Sequence, residues 1–220
     1  PKTYYLQYKE TADADMISGV SAGTIDVANP SFSQTAVDEI INNNSNGELT
    51  GDIITTSTVD NLGYGYIGMN AATVNVGGDP GSDASKNLRK AFATIFAAYR
   101  DLTVSSYYGE RASVINYPIS STSWAAPQKA DDGYEVAFST AVDGSDIYTS
   151  DMNADAKYDA ALAAAVDYFK AAGFTYDGSK FTAAPDGAKL EYEIIIPADG
   201  AGDHPSFMLC TKLKEALAEI

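Results

Sequence analysis

The chain has 220 residues, with 14 Lys+Arg against 30 Asp+Glu and a formal net charge of −16. That balance leaves no broad basic surface to displace counterions from phosphates, which excludes nucleic acid as a partner. With 45% apolar and 20% charged residues, a chain of this length buries roughly 70% of its unfolded surface and needs neither metal nor disulfide staples, as one domain or little more.

The single cysteine, Cys210, rules out an internal disulfide and says nothing firm about compartment. The longest strongly apolar run, Ala160 to Val166, is far short of the roughly 20 residues of a membrane span. The chain opens at Pro1 without Met, passes at once into a strand-like segment and stops at Ile220 within an apolar-periodic segment. It is expected to be a piece of a larger protein, cut at both ends.

In chain order, Thr3 to Tyr8 reads as a strand, Asp13 to Ala22 as a short helix, and Thr24 to Ala28 as a strand stopped by Asn29-Pro30. Ser33 is an N-cap signal for a second helix carrying Val37, Ile40 and Ile41, which ends in the Asn-rich turn Asn42 to Gly47. Strands are expected at Gly51 to Ser57 and Tyr64 to Asn70. From Ser85 to Arg100, Leu88, Ala91, Phe92, Ile95, Phe96 and Tyr99 recur at helical spacing, with Asp83 as the cap. Tyr107 to about Asp132 is a long irregular stretch with Pro118, Pro127 and a Ser120 to Ser123 cluster, and loops of that length are usually functional. A helix over about Asp155 to Ala172 follows, with Gly173 placed to end it. Leu190 to Ile196 reads as a strand buried on both faces at its end. The loop Pro197 to Pro205 then leads to a last helix bearing Met208, Leu209, Leu213 and Leu217.

Several motifs resemble chemistry in letters only. Gly63-Tyr64-Gly65-Tyr66-Ile67-Gly68 is a GxGxxG, but no helix follows Gly68 to receive a pyrophosphate, so no nucleotide cofactor is expected. Asp151, Asn153, Asp155 and Asp159 fit a calcium loop until Ala156 and Leu162 stand where Gly and Glu are required. They read instead as caps of the following helix, and no metal site is expected. His204 is the only histidine, no nucleophile motif accompanies it, and Asp203-His204-Pro205 reads as a helix start. Cys210 reads as a small buried residue. No catalytic set emerges, and the protein is read as a non-enzyme.

Four ordered segments nevertheless carry a resemblance. They are Ser21-Ala22-Gly23-Thr24-Ile25-Asp26-Val27-Ala28, Tyr64 to Asn70, Asp83 with Asn87-Leu88-Arg89-Lys90-Ala91-Phe92, and Tyr158-Asp159-Ala160-Ala161-Leu162 through Phe169-Lys170-Ala171-Ala172-Gly173-Phe174. Together they resemble the C-terminal lobe of family 5 extracellular solute-binding proteins, the oligopeptide-, dipeptide- and nickel-binding receptors of bacterial ABC importers, over nearly all of the chain. The resemblance implies an α/β fold, a periplasmic-binding-protein-like (type II) lobe with a mixed central sheet flanked by helices, spanning 1–220 as a single excised lobe. It implies the substrate-binding component of an ABC importer, working as a monomer outside the cell or in the periplasm. Such a receptor binds a small molecule, a peptide above all, in a cleft between two lobes and delivers it to permease subunits. Any membrane contact is implied only through a lipid anchor outside this segment.

Ligands of open α/β sheets sit beyond strand C-terminal ends. By that rule the candidate ligand contacts are Asn29 and Ser31, Tyr66 and Asn70, and Asp199, Asp203 and His204, joined by Tyr117, Ser121 and Trp124 from the long loop. Each has a structural alternative: Asn29 as a turn residue, Asn70 as a strand terminator, Tyr66 and Trp124 as core, Asp203 as a cap. Two other function classes stay open, a cell-surface interaction module without transport and a hydrolase resting on His204 and the Ser-rich loop.

Overall fold

The computed structural model describes residues 2–196, 202 and 204–220. At coarse level it is an α/β protein, dominated by helices with one small sheet. The chain forms two compact units, Pro1–Asp60 and Asn61–Ile220. Among the described residues no helix is long and apolar enough to cross a membrane.

In the first unit, α1 (Asp13–Ser21) and α2 (Gln34–Asn43) bring Ile17 and Ile40 together with Ile54, and Val20, Ala36 and Leu49 pack around them. Ser33 caps α2 as its sequence signals, its side chain accepting from the Ala36 amide at 3.1 Å. The Thr24 to Ala28 strand does not form. Its first residues are used to stop α1: with Gly23 at φ +70°, the Gly23 amide reaches Val20 O at 3.1 Å and the Thr24 amide Gly19 O at 3.0 Å. These two bonds make a Schellman motif, which satisfies helix carbonyls that would otherwise be orphaned.

The strand expected over Gly51 to Ser57 is also replaced by a loop, because its amides have a nearer acceptor. Asn44, just past α2 and buried, accepts from Ile53 N at 3.2 Å and Ile54 N at 2.8 Å and donates to Glu48 O and Ile54 O at 2.8 and 3.0 Å. Thr3 to Tyr8 forms no strand either, and Tyr4 and Tyr5 are each 93% exposed. A strand needs a ladder neighbour, and β-propensity without one is a preference and no structure.

The second unit is built on α3 (Asp83–Tyr108), α4 (Ala154–Ala171) and α5 (Pro205–Glu219). Its core joins Leu88, Phe92 and Ile95 of α3 to Ala165, Tyr168 and Phe169 of α4 and Leu213 of α5. Phe169 is the hub: its ring meets Phe92 at 5.3 Å, Phe174 at 5.5 Å and Phe181 at 5.3 Å, all edge-on, the favoured quadrupole geometry. Small residues such as Ala161, Ala164 and Ala165 on α4 leave room for the neighbouring helices.

Ser82, rather than Asp83, is the N-cap of α3, accepting from Ser85 N at 3.2 Å. Asp83 is the first helical residue, where its charge suits the positive helix end. The helix also runs eight residues past the expected Arg100, through DLTVSSYY. Apart from Leu102, those residues are weak helix formers. Burial of Thr103 and back-bonds from Thr103, Ser105 and Ser106 hydroxyls to carbonyls three residues earlier hold the extension. A 3₁₀ turn, Gly109–Arg111, follows.

Asn153 caps α4 through the Ala156 amide at 2.9 Å, and Asp155 sits in its first turn. Gly173, at φ +100°, ends it: Gly173 N bonds Lys170 O at 2.9 Å and Phe174 N bonds Phe169 O at 3.0 Å. A hairpin with no sequence expectation then appears, β1 (Thr175–Tyr176) paired antiparallel with β2 (Phe181–Ala183). It covers the end of α5, since Lys180 Nζ donates to Ala218 O and Glu219 O at 2.8 and 3.0 Å and Phe181 N to Ile220 O at 2.8 Å. These bonds meet carbonyls of the last turn, which lack intrahelical partners.

This hairpin is the whole sheet among the described residues, so the mixed central sheet expected from the sequence is corrected to a two-stranded ribbon beside packed helices. Tyr64 to Asn70 and Leu190 to Ile196 are not strands. The latter segment lies on the core through Tyr192, whose ring meets Phe92 at 5.1 Å, while Ile195 is 88% exposed, opposite to the expected two-sided burial.

Candidate functional site

The second unit contains a solvent-open cavity of about 660 Å³ between the last turns of α3 and the 112–134 segment. Leu102, Val114, Ile115 and Ile119 give it apolar walls, and Asn116, Tyr117, Ser121 and Tyr134 give it polar ones. That mixture suits a small amphipathic guest.

One residue shapes the wall. Arg100 leaves α3 and donates from Nη2 to Asn116 Oδ1 at 2.6 Å and Ala137 O at 3.2 Å, and from Nη1 to Ile115 O at 3.5 Å. Asn116 passes the connection on: its Oδ1 also accepts from Ala137 N at 3.0 Å, and its Nδ2 donates to the Tyr134 hydroxyl at 2.8 Å. The Tyr117 hydroxyl accepts from Glu135 N at 2.9 Å, and the Tyr117 and Tyr134 rings lie 5.5 Å apart. Ser120 and Thr122 hydroxyls tie the other part of the loop to Asn61 O at 3.3 and 3.2 Å.

Arg100 is electrostatically unusual. Its buried Nε finds no hydrogen-bond partner among the described residues, nor does the nearby Tyr148 hydroxyl. Desolvation lowers the guanidinium pKa from its ordinary value and raises that of the Tyr148 phenol. The ion pairs among the described residues, Lys86–Asp83, Lys170–Asp167 and Lys212–Glu215, do not include it. Its hydrogen-bond acceptors are all neutral, and the carboxylate that acts on it electrostatically is the exposed Asp101, so its charge is only partly offset.

Of the residues singled out from sequence, Tyr117 and Ser121 meet on this cavity. Trp124, in the same loop, is 97% exposed and outside its lining, so the core alternative is overturned for it. The same holds for Tyr66, which is 82% exposed and pairs with Tyr64 at 6.3 Å. Asn70 is exposed and makes a turn, its Oδ1 accepting from Ala72 N at 3.0 Å, so it ends no strand. Asn29 and Ser31 lie exposed in the first unit, where Ser31 N donates to Asp13 Oδ1 at 2.7 Å. His204 is the N-cap of α5, Nδ1 accepting from Ser206 N at 3.2 Å, with Pro205 following and the imidazole 5.4 Å from the Tyr107 ring. Asp199 and Asp203 lie outside the described residues.

Arg100, Asn116 and Tyr134 have no place in the sequence-derived site. Arg100 marks a helix end in the sequence, and only the continuation of α3 turns it into the loop's anchor. Among the described residues no group of three or more His, Cys, Asp or Glu is arranged to hold a metal ion. Cys210 is half-buried rather than fully buried, and desolvation raises its thiol pKa. A second, shallower hollow of about 510 Å³ in the first unit, beside α1, is lined by none of the expected residues. Comparison with protein-family models, curated proteins and solved structures finds no match to this chain.

Proposed function

We propose that this chain is a ligand-binding lobe of the type II periplasmic-binding-protein kind, part of the substrate-binding component of an ABC importer for peptides or similar small molecules. The observation that carries the reading is the cavity of about 660 Å³ that joins Tyr117 and Ser121, two residues chosen from sequence for ligand contact. The four ordered segments supply the family. In this reading the protein is a monomer outside the cell or in the periplasm, reaches the membrane through a lipid anchor elsewhere, and hands its ligand to permease subunits.

Native mass spectrometry of the protein as purified tests it, because a closed binding protein retains its ligand. A retained small molecule, and a rise in thermal stability with the matching pool by mass action, are expected. Absence of both with peptide, sugar and metal-chelate pools refutes the reading.

A cell-surface interaction module without transport is the second reading, favoured by the exposed Tyr4, Tyr5, Leu6 and Tyr8. It requires that deleting residues 2–8 abolish attachment to a cell surface, while transporter subunits bind neither form. The hydrolase reading rests on His204 and the Ser-rich loop, and the Nδ1 of that histidine already serves the α5 cap.

A further inference from the structure

The hydrogen-bond chain behind the cavity has a direction. It starts at the Arg100 cation, runs through Asn116 Oδ1 and then Nδ2, and ends at the Tyr134 hydroxyl as acceptor. Tyr117 is placed alike, as acceptor from the Glu135 amide. A phenol that accepts one hydrogen bond still has a proton to donate. Neither hydroxyl donates to any described residue. Both residues line the cavity, and their rings are 5.5 Å apart. Hydrogen bonds linked in series polarise one another, so the Arg100 charge strengthens Tyr134 as a donor.

The formal charges on the cavity lining, Asp101 and Lys129, are both exposed and opposite in sign. Water and salt screen them, whereas the partly buried Arg100 is screened much less. The wall therefore offers two phenolic donors, set among Leu102, Val114, Ile115 and Ile119 and backed through Asn116 by a cation that the exposed Asp101 only partly offsets. We propose that the cavity binds the carboxylate of a predominantly apolar ligand, with the Tyr117 and Tyr134 hydroxyls donating to its oxygens and Arg100 acting through Asn116 as a positioning residue. This deepens and rests on the ligand-binding reading above. The carboxylate has two possible sources, a small aliphatic acid or the C-terminus of a short apolar peptide.

The test is calorimetric titration of the full chain with hexanoate against hexanol, and with N-acetyl-dileucine against its C-terminal amide. The acid of at least one pair is expected to bind at least tenfold more tightly than its neutral partner, as expected for hydrogen bonds to a charged group. The pair that shows this preference identifies the source. Tyr134→Phe is expected to weaken the acid roughly tenfold and leave the neutral partner unchanged. Tyr117→Phe should act likewise and is the gentler variant, because the Glu135 amide it strands is exposed to solvent. Equal affinity for acid and neutral partner in both pairs, or no acid binding, overturns the carboxylate assignment and leaves the ligand-binding reading intact if native mass spectrometry still finds a retained small molecule. Acid binding unaffected by both Tyr→Phe changes also overturns it.

Discussion

Asn44→Ala is expected to unfold the first unit well before its helices would otherwise melt. The Asn44 side chain is 5% exposed and makes four hydrogen bonds to main-chain groups of Glu48, Ile53 and Ile54. Alanine removes all four, with unequal consequences. Ile54 O keeps the Gly51 amide at 2.8 Å, and the exposed Glu48 and Ile53 can turn their groups to water. The Ile54 amide is left buried and unpaired, at a residue only 6% exposed. An orphaned buried donor costs about 1–3 kcal/mol, and each of the three remaining bonds about 0.5–1.5, so a loss of about 2.5–7.5 kcal/mol is expected. A unit of 60 residues has roughly 3–9 kcal/mol in total at about 0.05–0.15 per residue. Hydrogen exchange read on the α1 and α2 amides measures the loss locally. A change below about 0.5 kcal/mol, the size of an ordinary surface substitution, would refute the account of how this loop is held.

Gly173→Ala forces a side chain into φ +100° with its Cβ 3.1 Å from Pro185, and is expected to lower stability by at least about 1 kcal/mol in a thermal melt. Tyr99, Tyr148, Tyr158 and Tyr192 all have phenol pKa values raised, chiefly by desolvation, from the ordinary value of 10.0. Raised folded values mean that the native state holds these protons longer than the unfolded state does. Their contribution is complete below pH 10 and lost as pH rises, so phenolate absorbance should show a late-titrating group that merges with the rest in denaturant. On the acid side, the Ser45 amide holds the Asp52 carboxyl low, the Ser145 hydroxyl that of Asp143, and the Lys180 amide that of Asp177. Depressed folded values contribute above about pH 3.8 and fade as pH falls. Carboxyl-carbon NMR titration should place these three midpoints below those of the unfolded chain.

The helices were legible in the sequence because their signals are local. Ser33, Asn153 and Gly173 act within five residues of where they stand, and the apolar spacing of α3 and α4 meets at one core. Strands were not, because a ladder depends on a neighbour far along the chain. In 51–57 and 24–28 the amides found closer acceptors, Asn44 and the end of α1. The site was half visible: Tyr117 and Ser121 came from reading a long loop as functional, whereas Arg100 needed the unexpected last two turns of α3 to become its anchor. Asn116 and Tyr134 gain meaning only through Arg100, 16 residues from the one in sequence and joined to the other through it.

The segments that look like strands and pair with nothing among the described residues have a colloidal consequence. Residues 3–8 and 190–196 show Tyr5, Leu6, Leu190 and Ile195 to water on unladdered backbone, the kind of surface that seeds contact between molecules. A net charge of −16 opposes that encounter. The repulsion reaches about 30 Å at 0.01 M salt and about 3 Å at 1 M. It also vanishes near the isoelectric point of about 4.2. Acid or brine therefore does to this protein what unfolding does to others: it brings sticky backbone within reach of its like.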